Sequence, residues 1–255
     1  MPEKTDYSPG TPVWVDVCGP DGAALKAFYN AVFGWESVTE PNPDFGGYST
    51  FQINGKNIGG VMEMADQPPG WTCYIATEDA DKTVEVAQGA GATLFAPPMD
   101  VADHGRMAVL ADPTGAAFGI WQANQMKGTE LEDEPGTVCW IELNTRDVPK
   151  AIEFYETMGW PSQTSEMPGA GSYTEFKLGD RSVAGMMAMP EQVPAAVPAH
   201  WMPYFVSADV DDTAQRVTGA GGQAIVEPRN IPPGRFAVFS DPQGAVFAVL
   251  KPSEG

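Results

Sequence analysis

Apolar and polar residues alternate with a period of two where Val13, Val15 and Val17 are interleaved with Trp14, Asp16 and Cys18, which predicts a strand. The period then lengthens. Leu25, Phe28, Tyr29 and Val32 follow the i, i+3, i+4, i+7 spacing of one apolar helix face. Gly34 stands where a helix needs a left-handed closing residue. Both patterns recur: Cys139, Ile141 and Leu143 alternate with Trp140, Glu142 and Asn144, and Ala151, Phe154, Tyr155 and Met158 repeat the helical spacing before Gly159. Shorter, more polar helices are predicted around 84–88 and 214–217, closed by Gly89 and Gly219. Asp-Pro-x-Gly stretches at 112–115 and 241–244 join apolar strands; proline presets one turn torsion and glycine accepts the positive φ after it, so they read as hairpins rather than catalytic motifs.

The recurrence extends over the whole chain. Segments 12–35 and 138–160 align at an offset of 126, 48–64 and 173–189 at 125, 71–92 and 201–222 at 130, and 105–121 and 234–250 at 129. Four blocks in one order with nearly constant offsets mean a tandem duplication. The first copy is placed at 8–122 and the second at 137–252. Between them 123–136, acidic and without an apolar period, reads as a solvated linker. Within the second copy, 190–200 carries three prolines and reads as a surface loop or a lid. Each copy predicts strand, helix, three strands, and the same again: two βαβββ modules curling into a cup with helices outside, an α+β class.

Composition narrows the function. The 255 residues carry 14 Lys+Arg against 34 Asp+Glu, a net charge of −20, with no basic cluster to offset it. Nucleic acid and anionic membrane surfaces are excluded as partners on that ground. An apolar content of 43% excludes disorder, and no apolar run is long enough to span a membrane. The N-terminal residues lack a basic-then-apolar signal pattern, which predicts a cytoplasmic protein. Cys18, Cys73 and Cys139 are too scattered for a disulfide framework or a CxxC zinc site. There is no GxSxG nucleophile motif and no glycine-rich phosphate loop.

The duplicated βαβββ pattern, with Phe28-Tyr29 before Gly34-Trp35, Phe154-Tyr155 before Gly159-Trp160, and the two Asp-Pro-x-Gly hairpins, resembles the vicinal oxygen chelate superfamily of glyoxalase I, bleomycin-resistance proteins and extradiol dioxygenases. More narrowly it resembles two-domain glyoxalase-like proteins of actinobacteria. The resemblance implies a divalent ion in each cup, held by His and Glu from the first, fourth, fifth and eighth strands. Those positions map to Trp14 and Trp140, Glu63 and Ala188, Thr72 and Met202, and Gly119 and Ala248. Only Glu63 is a ligand type, so no cofactor is expected; a hard cation on Asp16, Glu63 and stray carboxylates is the residual route.

In the family geometry Trp14 with Asp16 and Trp140 with Glu142 line the concave face. Indole beside a carboxylate suits a planar or cationic small molecule, and a half-buried carboxylate gains the raised pKa of a general acid or base. Asp16 and Glu142 are therefore the candidate catalytic residues; the rival reading has the tryptophans plugging the sheet and the carboxylates bonded to backbone. Met62 and Met187 on the fourth strands would give an adaptable lining. His104, His200, Glu63 and Trp121, each unique to one copy, are further candidates, His200 as a guard at the mouth. Arg106 and Arg235 read as structural partners of local carboxylates. The leading reading is a metal-free cup that binds, and transforms by acid–base chemistry, a hydrophobic or aromatic small molecule. A metal-dependent lyase, isomerase or dioxygenase with rearranged ligands is one rival, and a protein-interaction module another. Monomer and homodimer are both open.

Overall fold

The structure is a computed structural model that describes residues 4–167 and 171–253. β1 (Pro12–Gly19), α1 (Gly22–Phe33), β2 (Glu36–Thr39), β3 (Ser49–Ile53) and β4 (Lys56–Glu63) form the first module. β5 (Gly70–Ala76), α2 (Ala80–Gly89), β6 (Thr93–Val101), β7 (Gly105–Ala111) and β8 (Ala117–Ala123) form the second. The other half repeats them as β9 (Val138–Thr145), α3 (Val148–Thr157), β10 (Ser162–Met167), β11 (Gly171–Leu178), β12 (Arg181–Ala188), β13 (His200–Val206), α4 (Val210–Gly219), β14 (Gln223–Ile231), β15 (Gly234–Ser240) and β16 (Val246–Pro252). Each half is one eight-stranded sheet, ordered β2-β3-β4-β1-β5-β8-β7-β6 and β10-β11-β12-β9-β13-β16-β15-β14. The modules join side by side through the antiparallel pairs β1–β5 and β9–β13.

Local chemistry sets the helix ends. Asp21, Asp79, Asp147 and Asp209 each accept a backbone N–H of the first turn, the capping that gives helices α2 and α4 an earlier start than their apolar pattern suggests. Gly34 takes the left-handed torsion, φ 76°. Gly89 and Gly219 instead end their helices in helical geometry, and the positive φ falls two residues later on Gly91 and Gly221.

The helices lie outside each cup but not outside the molecule. One continuous core takes Val15, Val17, Phe28, Tyr29, Trp35 and Trp71 from the first half together with Leu143, Phe154, Tyr155, Trp201, Phe205 and Phe247 from the second. Trp35 stacks edge-on to Phe205 at 5.1 Å, and Phe28 meets Phe247 at 6.2 Å. Two polar latches cross the same boundary: Tyr29 donates to Asp241 at 3.1 Å, and Tyr155 donates to Asp112 at 2.9 Å. Both aspartates belong to the Asp-Pro-x-Gly hairpins.

The linker is not solvated throughout. Leu131 is 1% exposed in the shared core, Thr129 N–H donates to Val13 O, and Glu130 binds Asn57 through backbone and side chain. One leucine in an acidic run leaves no periodicity to read. At its end Gly136 sits at φ 90°, where a Cβ would stand 2.8 Å from Trp35 Nε1. Gly136→Ala is therefore expected to cost about 1–3 kcal/mol, from the torsion and the displaced indole together. Urea unfolding should show a lower midpoint with an unchanged slope.

Candidate functional site

Strand alternation sends Val15 and Val17 into the shared core and Trp14, Asp16 and Cys18 to the concave face of the first sheet. Register then decides their neighbours. Asp16 stands between Gly60 of β4 and Thr72 of β5, Trp14 opposite Tyr74, and Cys18 opposite Met62. Tyr48, just ahead of β3, lies across Gly60 so closely that a Cβ there would come within 1.9 Å of its hydroxyl. That hydroxyl accepts Trp14 Nε1–H at 2.8 Å and donates to Asp16 Oδ2 at 3.5 Å. The hydroxyls of Tyr74 and Thr72 also face the carboxyl. Burial outweighs these three donors and raises the Asp16 pKa from 3.8 to about 7.

The second half rebuilds the arrangement from the matching positions. Trp140 Nε1–H donates to Tyr173 at 2.9 Å, and Tyr173 lies across Gly185 as Tyr48 lies across Gly60. Glu142 accepts Tyr173 O–H and Tyr204 O–H, both at 3.0 Å, and Asn144 Nδ2–H at 3.4 Å. Burial again pushes the carboxyl pKa up. Among the described residues neither carboxylate bonds to backbone, as one part of the rival reading required; the partners are tyrosines with Thr72 or Asn144. Its other part, a tryptophan plugging the sheet, holds for Trp14, which is 5% exposed and packed with Val13, Tyr74 and Trp121. Val13 and Cys139 depart from the alternation. A bulge at the start of β1 puts Val13 in the cluster of Trp14, Tyr74 and Trp121, and Cys139 packs beside Trp140.

Met62 and Met187 lie on the concave faces, partly exposed. His200 shares a row with Asn144, its Nδ1 3.0 Å from Pro198 O, and burial lowers its pKa. Arg146 holds the proline-rich loop before it through the carbonyls of Val193, Pro194 and Val197, the shortest contact being 2.8 Å. His104 is brought to the rim, not the floor: its ring is 5.6 Å from Phe45, in a 3-10 turn between β2 and β3, so the outer edges of the curled sheet meet there. Glu63 is a correction. It is one residue from Met62 on β4 and therefore projects to the opposite face, where its Oε2 accepts Gly22 N–H at the start of α1 at 3.2 Å. Trp121 is a core residue, its indole N–H bonded to Met126 O at 2.9 Å. Arg106 pairs with Asp81 and Asp100, and Arg235 with Asp211.

These placements test a family-type metal centre. Trp14, Thr72 and Gly119 in one half, and Trp140, Met202 and Ala248 in the other, offer no imidazole or carboxylate, and Glu63 points away. Among the described residues no three His, Cys, Asp or Glu side chains converge. The donor set does not fit such an ion. A separate cleft of about 410 Å³ lies between the N-terminal segment and the ends of β5 and β8; its carboxylates Asp6 and Glu78 and its Lys127 are exposed, and its one part-buried ionisable group is Tyr7, whose hydroxyl bonds Thr129.

Sequence reasoning missed Tyr48, Tyr74, Tyr173 and Tyr204. A signal was present in Gly60 and Gly185, glycines inside apolar strands at matching repeat positions, which mark close approach of another group.

Residues 125–249 match the family model of the Glyoxalase/Bleomycin resistance protein/Dioxygenase superfamily, and residues 13–121 match a glyoxalase-like domain. The chain is 43% identical, over 99% of both chains, to a Mycobacterium tuberculosis protein named "Putative glyoxylase CFP32". It is 38% identical, over 98% of this chain and 96% of the other, to the anthracycline biosynthesis protein DnrV of Streptomyces peucetius. Among solved structures, the Mn(II)-bound glyoxalase of Novosphingobium aromaticivorans superposes with a TM-score of 0.65 at 18% identity, covering 95% of this chain and 82% of that one. At that identity the likeness is one of fold.

Proposed function

The chain belongs to the glyoxalase/bleomycin resistance protein/dioxygenase superfamily, and on that premise we propose that it binds a hydrophobic, aromatic small molecule in a cup and moves a proton on it without a family-type metal ion. The observation that carries this reading is a desolvated carboxylate on the concave floor, bracketed by tyrosine hydroxyls and an indole. A carboxyl with a pKa about 7 is half-ionised near neutrality, where a general acid–base catalyst works best. The ionised form takes a proton from one atom of the bound molecule, and the neutral form returns it to another. Nothing is oxidised and no leaving group is needed. Tyr48 steadies the negative charge left on the molecule, since its pKa lies well above 10.0 and it remains a donor. Met62, partly exposed on the concave face, supplies an apolar, polarizable contact for a ring system, and the buried Trp14 holds Tyr48 in place through its indole N–H. The relative named for anthracycline biosynthesis supports a polycyclic aromatic as the substrate class.

Titration with 1,4-dihydroxyanthraquinone, followed by tryptophan fluorescence and by elemental analysis of the same sample, tests this. Saturable quenching that persists after dialysis against EDTA is expected. Quenching that never saturates, or binding that disappears with the chelator and returns on adding Mn²⁺, would overturn it.

A further inference from the structure

The two cups are copies, yet their carboxylates are in different states of commitment. Glu142 is 4% exposed and both its oxygens are taken, one by Tyr173 and the other by Tyr204 and Asn144. Met202, in register beside it, is 5% exposed and packs with Tyr204, Phe236 and Val238. In the first cup Asp16 also has three hydroxyl neighbours, Tyr74, Tyr48 and Thr72, yet it keeps part of its surface in solvent. Asp16 is one methylene shorter, so Tyr48 stands 3.5 Å away instead of 3.0 Å. Cys18 replaces Asn144 and turns its thiol to Pro68 O at 3.7 Å, giving the carboxylate nothing. Thr72 replaces Met202, a small hydroxyl where the second cup has a long thioether. Asp16, Cys18 and Thr72 keep part of their surface in solvent, whereas their counterparts Glu142, Asn144 and Met202 are buried; Tyr48 and Tyr173 are partly exposed alike, and Trp14 is more buried than Trp140.

We infer that the first cup alone takes the ligand, through a phenolic or enolic hydroxyl that inserts between Asp16 and Tyr48, and that the second cup is a closed counterpart with a structural role. This rests on the reading proposed above and names the group recognised. The inserted hydroxyl donates to Asp16 and accepts from Tyr48, replacing the one contact between them that now stands at the limit of a hydrogen bond. A site built to bond a hydroxyl rejects the analogue without one, because its own polar groups are then stranded.

Transplanting second-cup residues into the first tests the inference. Asp16→Glu keeps the charge but reaches the tyrosines as Glu142 does, and Thr72→Met fills the slot. With 1,4-dihydroxyanthraquinone as probe, wild-type protein should bind one equivalent per chain. Each variant should weaken binding at least tenfold, and 9,10-anthraquinone should bind the wild type at least tenfold more weakly. Two equivalents per chain, equal affinity for the two probes, or Asp16→Glu and Thr72→Met both with wild-type affinity would each overturn the division of the cups while leaving aromatic binding intact. Failure of the wild type to bind either probe would sink both readings. The stoichiometry and the probe comparison need no variant, so the test survives if one fails to fold.

Discussion

Between pH 4 and pH 7 the wild-type protein is expected to lose up to about 4 kcal/mol of folding stability through Asp16, and Asp16→Asn is expected to abolish that part of the loss. The sign follows from the proton count. In the unfolded chain Asp16 titrates near 3.8; in the folded cup it titrates at about 7, so within that window the native state holds the extra proton. Stability is therefore greatest at the acidic side and falls as pH rises through 7, beyond which the contribution is constant. Glu142 and Asp241, also raised by burial, slope the same way. Asp79, Asp81 and Asp211 are lowered by Lys82, Arg106 and Arg235 respectively, and their stabilisation is lost only below about pH 4. Urea unfolding of both proteins at pH 4, 5.5 and 7.5 isolates Asp16 as the difference between curves. Asn keeps the shape and an acceptor for Tyr48, so the variant should be the more stable protein at pH 7.5. Parallel curves for the two proteins would mean that Asp16 titrates as it does in water, and a general acid–base role for it would then have no basis.

The architecture was legible because duplication wrote it twice. Period two in β1 and β9, the helical spacing around Phe28-Tyr29 and Phe154-Tyr155, and the Asp-Pro-x-Gly turns are local signals, and the structure returns each as an element of that type. The places of Asp16 and Glu142 on the concave faces were legible for the same reason: an acid at an inner strand position needs an explanation wherever the sheet curls. Their partners were not legible. Tyr48 reaches Asp16 from a loop 32 residues away, and Tyr74 from a neighbouring strand, so both depend on register that no single segment encodes. Glu63 shows the converse error. Counting strands placed it in the ligand set, but side-chain parity on β4, fixed by Gly60 and Met62 facing the cup, turns it to the helix side. Uniqueness to one half is a poor guide to what lies on the cup floors. His104 is unique and sits at the rim, and Trp121 is unique and packs in the core with Trp14 and Tyr74, whereas the tyrosines beside the two carboxylates occur in both halves.

Asp112→Ala is expected to cost about 3–5 kcal/mol, although Asp112 belongs to a surface-type hairpin turn. The side chain is buried, 3% exposed, and Oδ1 accepts Thr114 N–H and O–H, both at 2.7 Å, and Ala116 N–H at 3.1 Å. Oδ2 accepts Tyr155 O–H at 2.9 Å, and Tyr155 in turn accepts Trp201 Nε1–H at 2.9 Å. Removing the carboxylate strands several donors at once, one of them on a helix of the other half, in a region closed to water. For a chain of this length the loss corresponds to a fall in Tm of roughly 10 °C. How that fall is distributed between the halves is the more informative measurement. Their hydrophobic residues form one continuous core, and a matching latch runs from Trp71 through Tyr29 to Asp241. A defect at Asp112 should therefore lower a single transition seen equally by tryptophan fluorescence and far-UV dichroism. A two-step curve with only one half destabilised would show that the halves fold independently.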